Sequence, residues 1–345
     1  MAKITKYLNI IFEGKDLTFE QAKELLDTIF EGDVADVQIA AFLAAMRIKK
    51  ATVSEIAGLA VSLRQHAVPV QVSVKPLVDT CGTGGSSVKT FNISTTAALV
   101  AAGAGVYIAK HGNRGITSLC GSADVLAALG VNISPGPQRV AECIEKAHIG
   151  FMFAPNFHPA MKFVQPIRKS LDFHTAFNIL GPLANPAGAQ AQVLGISDES
   201  LMTRMIEVLK ILGLERAMVV HSGGLDEIST MGPTKIMHLE NGQIRSSTID
   251  PTEYGFRLAN LDDLAGGDAA VNARIVRDLL TCRETGPKKD IVLLNAAAAI
   301  WAAGLAKDLV EGIEMADSSI SSGNALQCLE KLIEISNQPM EQQQQ

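Results

Sequence analysis

DTCGTGGSSVKTFNISTTAALVAAGAGVYIAKHGNRGITSLCGSADVLAALG, residues 79–130, contains two glycine-rich turns, each preceded by a short apolar run and followed by an apolar helical pattern. The runs Leu77–Asp79 and Val106–Lys110 predict strands, and glycines 82, 84 and 85 let the first turn adopt positive φ and approach a ligand closely. This order of strand, turn and helix, repeated, predicts βαβ units and a largely parallel sheet. Ligands of such sheets bind at the carboxyl ends of the strands, where both turns lie.

A glycine turn that enters a helix presents free N–H groups and the positive end of a helix dipole, which together favour anions. Two such turns in succession predict a ligand with two anionic ends, although turns that merely connect strands to helices remain the alternative. Lys110 adds a cation. Hydroxyl groups that could donate to the same ligand lie at Thr83, Ser86, Ser94, Thr95, Thr117 and Ser118.

The first turn differs from the two common nucleotide-binding loops. No GK[ST] sequence follows it, so it is not a P-loop. Ser87 stands at the third glycine position of a dinucleotide-binding fingerprint. The motifs that usually indicate ATP or NAD as the ligand are therefore absent from this turn.

Composition limits the class of protein. The chain has 345 residues, 47% of them hydrophobic and 19% charged, which suits one large domain or two ordinary ones. A net charge of −6 without a basic block argues against nucleic acid or an anionic membrane as partner. Five scattered cysteines without a CxxC indicate reduced thiols, and no signal peptide is apparent, so we expect a cytoplasmic protein.

The domain organisation follows from a change of pattern near residue 70. Capping boxes at Thr18–Gln21 and Thr52–Glu55 open helices with apolar stripes, whereas VPVQVSVKPLVD (68–79) is β-branched and contains two prolines that exclude a helix. Asp36 and Ser122 are candidate caps of further helices. We therefore predict a helical domain over residues 1–70, joined by part of 160–190, an α/β domain over 71–338 and a disordered tail over 339–345.

Outside the glycine turns, few residues suggest chemistry. Asp226 and Glu227 follow an apolar strand and two glycines, and in a loop both carboxylates could reach one Mg²⁺; a solvated turn is the alternative. His111 and His158 lie in turn-like contexts, where a structural hydrogen bond is the simpler role. Arg168, in a helical segment, fits a surface salt bridge. No Ser/His/Asp or Cys/His arrangement is legible, so no catalytic residue is assigned.

Eight segments, in order and spread over nearly the whole chain, resemble the anthranilate phosphoribosyltransferase family. The combination of GTGG, KHGNR and LDEIS is specific, although each alone is weak. The segments are GTGG (82–85), TFNIST (90–95), KHGNR (110–114), GSADVLAALG (121–130), FAPNFHPAM (153–161), FNILGPLANPAG (177–188), GGLDEIS (223–229) and GPKKDIVLLNAAAA (286–299).

The resemblance implies the nucleoside phosphorylase/phosphoribosyltransferase class of fold, with a small helical domain that forms a homodimer and a larger α/β domain. It also implies a reaction. Anthranilate attacks 5-phosphoribosyl 1-diphosphate to give N-(5-phosphoribosyl)anthranilate and diphosphate, with Mg²⁺, in tryptophan biosynthesis. Two alternatives stay open: a pyrimidine nucleoside phosphorylase-like enzyme, and a nonenzymatic sensor of a phosphoribosyl ligand.

Matched residue by residue, the resemblance implies three groups of site residues. Those that hold the phosphoribosyl donor are Gly82, Thr83, Gly84, Gly85, Thr90, Asn92, Ser94, Thr95, Lys110 and Ser118. Those that hold anthranilate are Gly82, His111, Asn113, His158, Arg168 and Gly181, with Arg168 on the carboxylate. Those that hold Mg²⁺ are Ser94, Asp226 and Glu227.

One departure from the family pattern concerns metal binding. The family usually continues GTGG with Asp-Gly, whereas this chain has Ser86-Ser87. A hydroxyl is a poorer Mg²⁺ ligand than a carboxylate. The sequence therefore predicts weaker or altered dependence on Mg²⁺.

Overall fold

The computed structural model describes residues 3–86, 88–115 and 119–339. They form an N-terminal helical bundle and a larger α/β part built on one seven-stranded sheet, as the sequence predicts. Ser87, Thr117, Ser118 and the tail beyond Pro339 lie outside the described residues, so the predictions made for them are not addressed.

Four helices form the N-terminal bundle: α1 (Thr5–Phe12), α2 (Phe19–Phe30), α3 (Asp36–Lys49) and α4 (Val53–Gln65). Both predicted capping boxes are present, at the starts of α2 and α4. The prediction that Asp36 caps α3 was wrong, because Ala35 holds the cap position and Asp36 is the first helical residue. A carboxylate in the first turn still stabilises the helix dipole.

The bundle does not close its core alone. Its buried side chains form one apolar cluster with residues much further along the chain, including Val164, Ile167, Phe177 and Leu180. Arg64 of α4 donates from Nε to the Leu183 carbonyl at 2.6 Å. The α/β part therefore contributes a strip of chain near residues 160–184 to the bundle.

Seven strands form the sheet in the order β3-β2-β1-β4-β5-β6-β7. Strands β1 to β5 run parallel, and β6 and β7 are an antiparallel hairpin at one edge, closed by positive-φ Asn241 and Gly242. The strands are β1 (Leu77–Gly82), β2 (Tyr107–Gly112), β3 (Ile149–Phe153), β4 (Ala191–Gly195), β5 (Arg216–His221), β6 (Thr234–Glu240) and β7 (Gln243–Ile249).

Helices cover both faces of the sheet, and one of them is buried along most of its length. That helix, α13 (Pro287–Ala302), is buried from Ile291 to Ala302 and packs against α5 (Ile93–Gly103) and the sheet. The helices of the α/β part are α5 (Ile93–Gly103), α6 (Ser122–Ala128), α7 (Pro137–Ala147), α8 (Ala154–Phe157), α9 (Gln165–Leu171), α10 (Phe177–Leu180), α11 (Met202–Ile211), α12 (Ala269–Leu280), α13 (Pro287–Ala302), α14 (Leu309–Ser321) and α15 (Asn324–Asn337).

Three local predictions need correction. Strand β1 continues three residues past Asp79, because its end pairs with β4. Gly121 rather than Ser122 caps α6, and the Asp124 carboxylate accepts its N–H at 2.9 Å. His111 lies within β2 instead of in a turn, because β2 pairs with β3 as far as Gly112. In the described part of the chain, no helix is long and apolar enough to cross a bilayer.

Candidate functional site

The first glycine turn lies at the carboxyl end of β1, against the ends of β4 and β5. Thr83 donates its backbone N–H to Gly195 at 2.9 Å, and the Ser197 hydroxyl donates to the Gly84 carbonyl at 2.8 Å. Gly84 and Gly85 have φ of 70° and 75°, which only glycine adopts readily. The turn is therefore fixed by the end of β4, which runs parallel to β1 beside it.

Asp226 packs directly on this turn. A Cβ at Gly82 would lie 2.2 Å from the Asp226 Oδ2, and one at Gly195 would lie 1.7 Å from the Asp226 carbonyl oxygen. The same Oδ2 accepts the Gly84 N–H at 3.2 Å. Glycine is therefore required at residue 195, where the contact is with backbone, and a side chain at residue 82 would displace the Asp226 carboxylate. The Asp226 carboxylate also occupies the Gly84 N–H that the sequence assigns to an anionic ligand.

Glu227 lies against the start of α5. Its Oε1 accepts the backbone N–H of Ser94 at 3.2 Å, within the first turn of that helix. Burial raises the pKa of Glu227 to about 8, with the charge of Asp226 adding to the rise and Lys110 opposing it. Burial likewise raises the pKa of Asp226. Two adjacent carboxylates are thus held where both resist ionisation in the absence of a cation.

These residues fit a magnesium ion. They supply hard oxygen ligands, and a divalent cation would offset the repulsion between the two carboxylates. Among the residues that the structure describes, no group of three or more His, Cys, Asp or Glu side chains could hold a metal. The two carboxylates of Asp226 and Glu227 nevertheless suit Mg²⁺, which commonly binds one or two carboxylates and completes its shell with substrate phosphates and water.

Lys110 lies beneath the turn and not in the cleft. Its side chain is nearly inaccessible, and the residue is 2% exposed. Its Nζ donates to the Thr80 carbonyl and lies 3.3 Å from the Thr80 Oγ1. Burial lowers the pKa of Lys110, and the charges of Asp79, Cys81 and Glu227 oppose that effect. Its charge therefore reaches the cleft as a field from below, without a direct contact to a ligand in this conformation.

The predicted donor residues on α5 divide into two kinds. Ser94 is partly exposed beside Glu227, whereas Thr95 is buried. The Asn92 amide is engaged by the protein, donating to the Cys120 carbonyl at 3.1 Å and accepting from Asn272 at 2.8 Å. In this conformation Ser94 is thus placed to meet a ligand, and Asn92 ties the two glycine turns together. Thr90 is partly exposed on the loop before α5.

His111 and His158 form a buried pair on the other side of β2. Their Nε2 atoms lie 3.2 Å apart, so one ring donates and the other accepts. The Gly181 carbonyl faces His111, and a Cβ added at Gly181 would meet no atom within 4 Å. The three residues predicted to line the path of the aromatic acceptor are therefore neighbours, with open space at Gly181.

The histidine pair predicts a loss of stability in acid. Burial lowers the pKa of His111 to about 3 and that of His158 to about 4. Both stay neutral in the folded protein at pH 5, while the unfolded chain takes up protons below about pH 6.5, so stability falls as pH falls. Each ring should cost about 2 kcal/mol at pH 5.

We expect the free energy of unfolding, measured in urea, to be lower at pH 5 than at pH 7, and this pair should contribute about 4 kcal/mol of the difference. His158→Gln should remove about half of that difference. An unchanged difference between the two pH values in this variant would contradict the assignment.

Arg168 has no carboxylate partner within 4 Å among the described residues, contrary to the predicted surface salt bridge. Its guanidinium lies 5.4 Å from the Phe177 ring and only 3.4 Å contacts link it to Gln165 and Asn178. Burial lowers its pKa. A partly buried arginine left with weak neutral partners is a candidate receptor for a ligand carboxylate. Asn113 is exposed at the second turn.

The structure adds neighbours of the first turn that sequence reasoning missed. Ser197, after β4, bonds to it as described above. The His174 Cε1 would lie 3.7 Å from a Cβ at Gly85, and the His174 carbonyl accepts from Arg47 of α3. Neither residue follows a glycine turn or belongs to a charged pair, so no local pattern marks it.

Family models match both parts of the chain. Residues 5–67 match the glycosyl transferase family, helical bundle domain, and residues 74–326 match the glycosyl transferase family, a/b domain. The chain is 50% identical over 336 residues to the anthranilate phosphoribosyltransferase of Methanocorpusculum labreanum, covering 96% of this chain and 98% of that protein. It is 49% identical over 329 residues to that of Roseiflexus castenholzii, covering 95% and 96%.

Solved structures show the same likeness. Anthranilate phosphoribosyltransferase from Thermus thermophilus superposes with a TM-score of 0.91 at 41% identity, covering 96% of this chain and 99% of that one. The enzyme from Saccharomyces cerevisiae in complex with 5-phosphoribosyl 1-diphosphate and magnesium gives a TM-score of 0.88 at 28% identity, covering 96% and 97%. The same yeast enzyme with 4-fluoroanthranilate gives 0.86 at 27% identity, with the same coverage.

Proposed function

The chain belongs to the anthranilate phosphoribosyltransferase family, and from that premise we propose how its residues divide the work. The reaction transfers the phosphoribosyl group of 5-phosphoribosyl 1-diphosphate to the amine of anthranilate, giving N-(5-phosphoribosyl)anthranilate and diphosphate in tryptophan biosynthesis. The observation that supports the division is the placement of Asp226 on the first glycine turn and of Glu227 at the start of α5, whereas Arg168 has no carboxylate partner among the described residues.

The first glycine turn and the start of α5 receive the donor. Asp226, Glu227 and Ser94 would hold Mg²⁺, which would supply positive charge at the leaving diphosphate. The Gly84 N–H, which now donates to the Asp226 carboxylate, would be free for a diphosphate oxygen if that carboxylate bound the cation. Lys110 adds its positive field from below the turn.

The acceptor lies on the side of Arg168. Its guanidinium binds the anthranilate carboxylate, Asn113 assists from the second turn, and His111, His158 and Gly181 form the wall for the ring. Because two buried neutral imidazoles present no charge, the wall tolerates an aromatic face while Arg168 sets its direction.

Catalysis on this arrangement is electrostatic and positional. As the bond from C1 to diphosphate lengthens, charge grows on the leaving oxygens, which face N–H groups and the start of a helix. The aniline nitrogen is neutral near pH 7, so it attacks C1 with its own lone pair and loses a proton afterwards. Holding the two substrates in line supplies the rest of the rate, and no general base is required before attack.

Loss of anthranilate fluorescence in the presence of 5-phosphoribosyl 1-diphosphate and Mg²⁺ tests the reaction. Wild-type protein should consume anthranilate only when donor and metal are both present. Thymidine with phosphate, the substrates of the phosphorylase alternative, should give no product. Consumption of thymidine without that of anthranilate would reverse the assignment.

Ser86 bridges the first glycine turn and the metal loop, which is the loop of residues 222–233 that carries Asp226 and Glu227. Its hydroxyl lies 3.0 Å from the Gly224 carbonyl and 2.9 Å from the Val88 carbonyl, so it is engaged within the protein. We expect Ser86→Asp to lower the Mg²⁺ concentration for half-maximal activity by about 3- to 10-fold, since a carboxylate adds charge beside the cation. Ser86→Ala, which loses the bridge without adding charge, should raise it. Superimposable Mg²⁺ titrations of all three proteins would exclude a role of Ser86 in metal dependence.

We propose a homodimer formed through the helical domain. That domain ends near residue 70, as the sequence predicts. Helix α3 carries an apolar stripe at residues 37, 41, 44 and 48, spaced for one helical face. Val37 is 77% exposed and Ile48 is 83% exposed. We propose that helix α3 of a second copy packs on this stripe, since a twofold interface pairs a surface with itself. The scattered spacing of the five cysteines, without a CxxC, supports a cytoplasmic location.

Charges in the stripe should separate the subunits. Val37→Asp combined with Ile48→Asp places four carboxylates in the proposed twofold interface, and we expect a monomer by light scattering after gel filtration. Leu258→Asp is the matched control, because Leu258 is also exposed but lies in the α/β part. A double variant with unchanged mass would place the subunit contact elsewhere.

A further inference from the structure

Asn295 is an isolated amide in the middle of a buried apolar helix. It lies in α13 within the stretch GPKKDIVLLNAAAA, which the resemblance includes but gives no task. The residue is 3% exposed, and its neighbours along the helix are apolar. Because burial of an amide costs free energy unless its hydrogen bonds are made, its partners indicate its purpose.

Those partners belong mainly to one residue of the metal loop. The Asn295 Oδ1 accepts the backbone N–H of Ile228 at 2.9 Å, and its Nδ2 donates to the Ile228 carbonyl at 2.8 Å. The second Nδ2 hydrogen goes to the Ile291 carbonyl, also at 2.8 Å, one turn earlier in the helix. The side-chain amide thus pairs with both polar groups of one residue, as a neighbouring strand would.

Ile228 follows Glu227 directly, so this clamp acts next to the proposed metal ligands. A small cavity of about 10 Å³, enough for about one water molecule, is lined by Asn295, Glu227, Ser94 and Thr80. The Glu227 side chain is therefore not packed tightly on that side. Its direction depends on the backbone, which Asn295 fixes at residue 228 and Gly195 contacts at Asp226.

We propose that Asn295 is a positioning residue for the magnesium and diphosphate site: through Ile228 it holds Asp226 and Glu227 in the orientation that binds the cation. Its side-chain hydrogen bonds go to the backbone of Ile228 and Ile291, so it acts through the loop and not as a ligand. This inference rests on the proposed role of Asp226 and Glu227, so its test must separate the two.

Asn295→Asp is the sharpest substitution, because it keeps the shape of the side chain. The carboxylate still accepts the Ile228 N–H but faces two carbonyl oxygens that have lost their donor. Ser319→Ala is the control: Ser319 is also a buried polar residue of this core, bonded to the Val100 carbonyl at 2.7 Å, away from the metal loop.

Calorimetric titration of the protein with inorganic diphosphate in the presence of Mg²⁺, without anthranilate, measures binding at this site apart from turnover. We expect Asn295→Asp to weaken Mg²⁺-dependent diphosphate binding at least tenfold, to keep the KM for anthranilate within twofold, and to recover most of its kcat in excess Mg²⁺. Ser319→Ala should lower Tm without changing diphosphate binding. A purely structural defect would lower Tm and leave the diphosphate affinity of the folded protein unchanged.

Two outcomes decide between the claims. Unchanged diphosphate affinity in folded Asn295→Asp overturns the positioning role. If that variant does not fold, Asn295→Ser replaces it, since its hydroxyl and one water can fill the space, and the same weakening is required of it. Glu227→Gln is the third arm: if it binds Mg²⁺ and diphosphate as the wild type does, the metal site itself is wrong, whatever Asn295 does.

Discussion

Glu227→Gln is expected to lower kcat/KM by about 10²- to 10³-fold, the range seen when one preorganised charge stabiliser is removed. Glutamine keeps the size of the side chain but cannot balance a divalent cation. The variant should be at least as stable to heat as the wild type, because burial and Asp226 already raise the pKa of Glu227 to about 8. Steady-state kinetics at several Mg²⁺ concentrations, with Tm, measure both effects.

The neighbouring carboxylate gives the matched comparison. Asp226→Asn should also impair metal use, and it additionally changes the group that accepts the Gly84 N–H. Glu199→Gln, an exposed carboxylate that pairs with Lys235 outside the cleft, should leave the kinetics unchanged. Full activity of Glu227→Gln at low Mg²⁺ would show that the metal lies elsewhere.

Arg168→Ala is expected to raise the KM for anthranilate by roughly 10²-fold, since a hydrogen-bonded charged contact contributes up to about 3 kcal/mol. The KM for the donor should stay within about twofold. The cost to folding should be small, because Arg168 makes only weak contacts to Gln165 and Asn178 and none to a carboxylate among the described residues.

Arg168→Lys separates charge from geometry. Lysine keeps the positive charge but lacks the planar pair of donors that matches a carboxylate, so it should restore only part of the anthranilate affinity. Initial rates with either substrate varied give both KM values. If a substitution of Arg168 raises only the KM for the donor, the donor end and the acceptor end of the site have been assigned the wrong way round.

Much of the fold was readable because its signals are local. The capping boxes of α2 and α4 and the apolar runs that predict β1 and β2 each depend on residues close in sequence. Errors arose where tertiary contacts decide. Strand β1 extends to Gly82 because β4 pairs with it, and Gly121 displaces Ser122 as a cap because the Asp124 carboxylate binds its N–H.

The site was predictable in composition but not in detail. Sequence and resemblance selected Asp226, Glu227 and Arg168, and the structure brings Asp226 to the glycine turn and Glu227 to the start of α5. It could not be read from the sequence that Lys110 lies below the turn or that Asn92 is engaged by Cys120 and Asn272. Those facts depend on side-chain contacts between residues far apart in the chain.

The division of the site into a donor end and an acceptor end is the central claim, and one measurement tests it most directly. Crystals grown with Mn²⁺, 5-phosphoribosyl 1-diphosphate and a fluoroanthranilate should show an anomalous Mn²⁺ peak about 2.2 Å from carboxylate oxygens of Asp226 or Glu227. The same map should place the aromatic carboxylate against Arg168. A metal peak away from both carboxylates, or an aromatic ring on the Gly82–Gly85 turn with diphosphate at Arg168, would contradict the account.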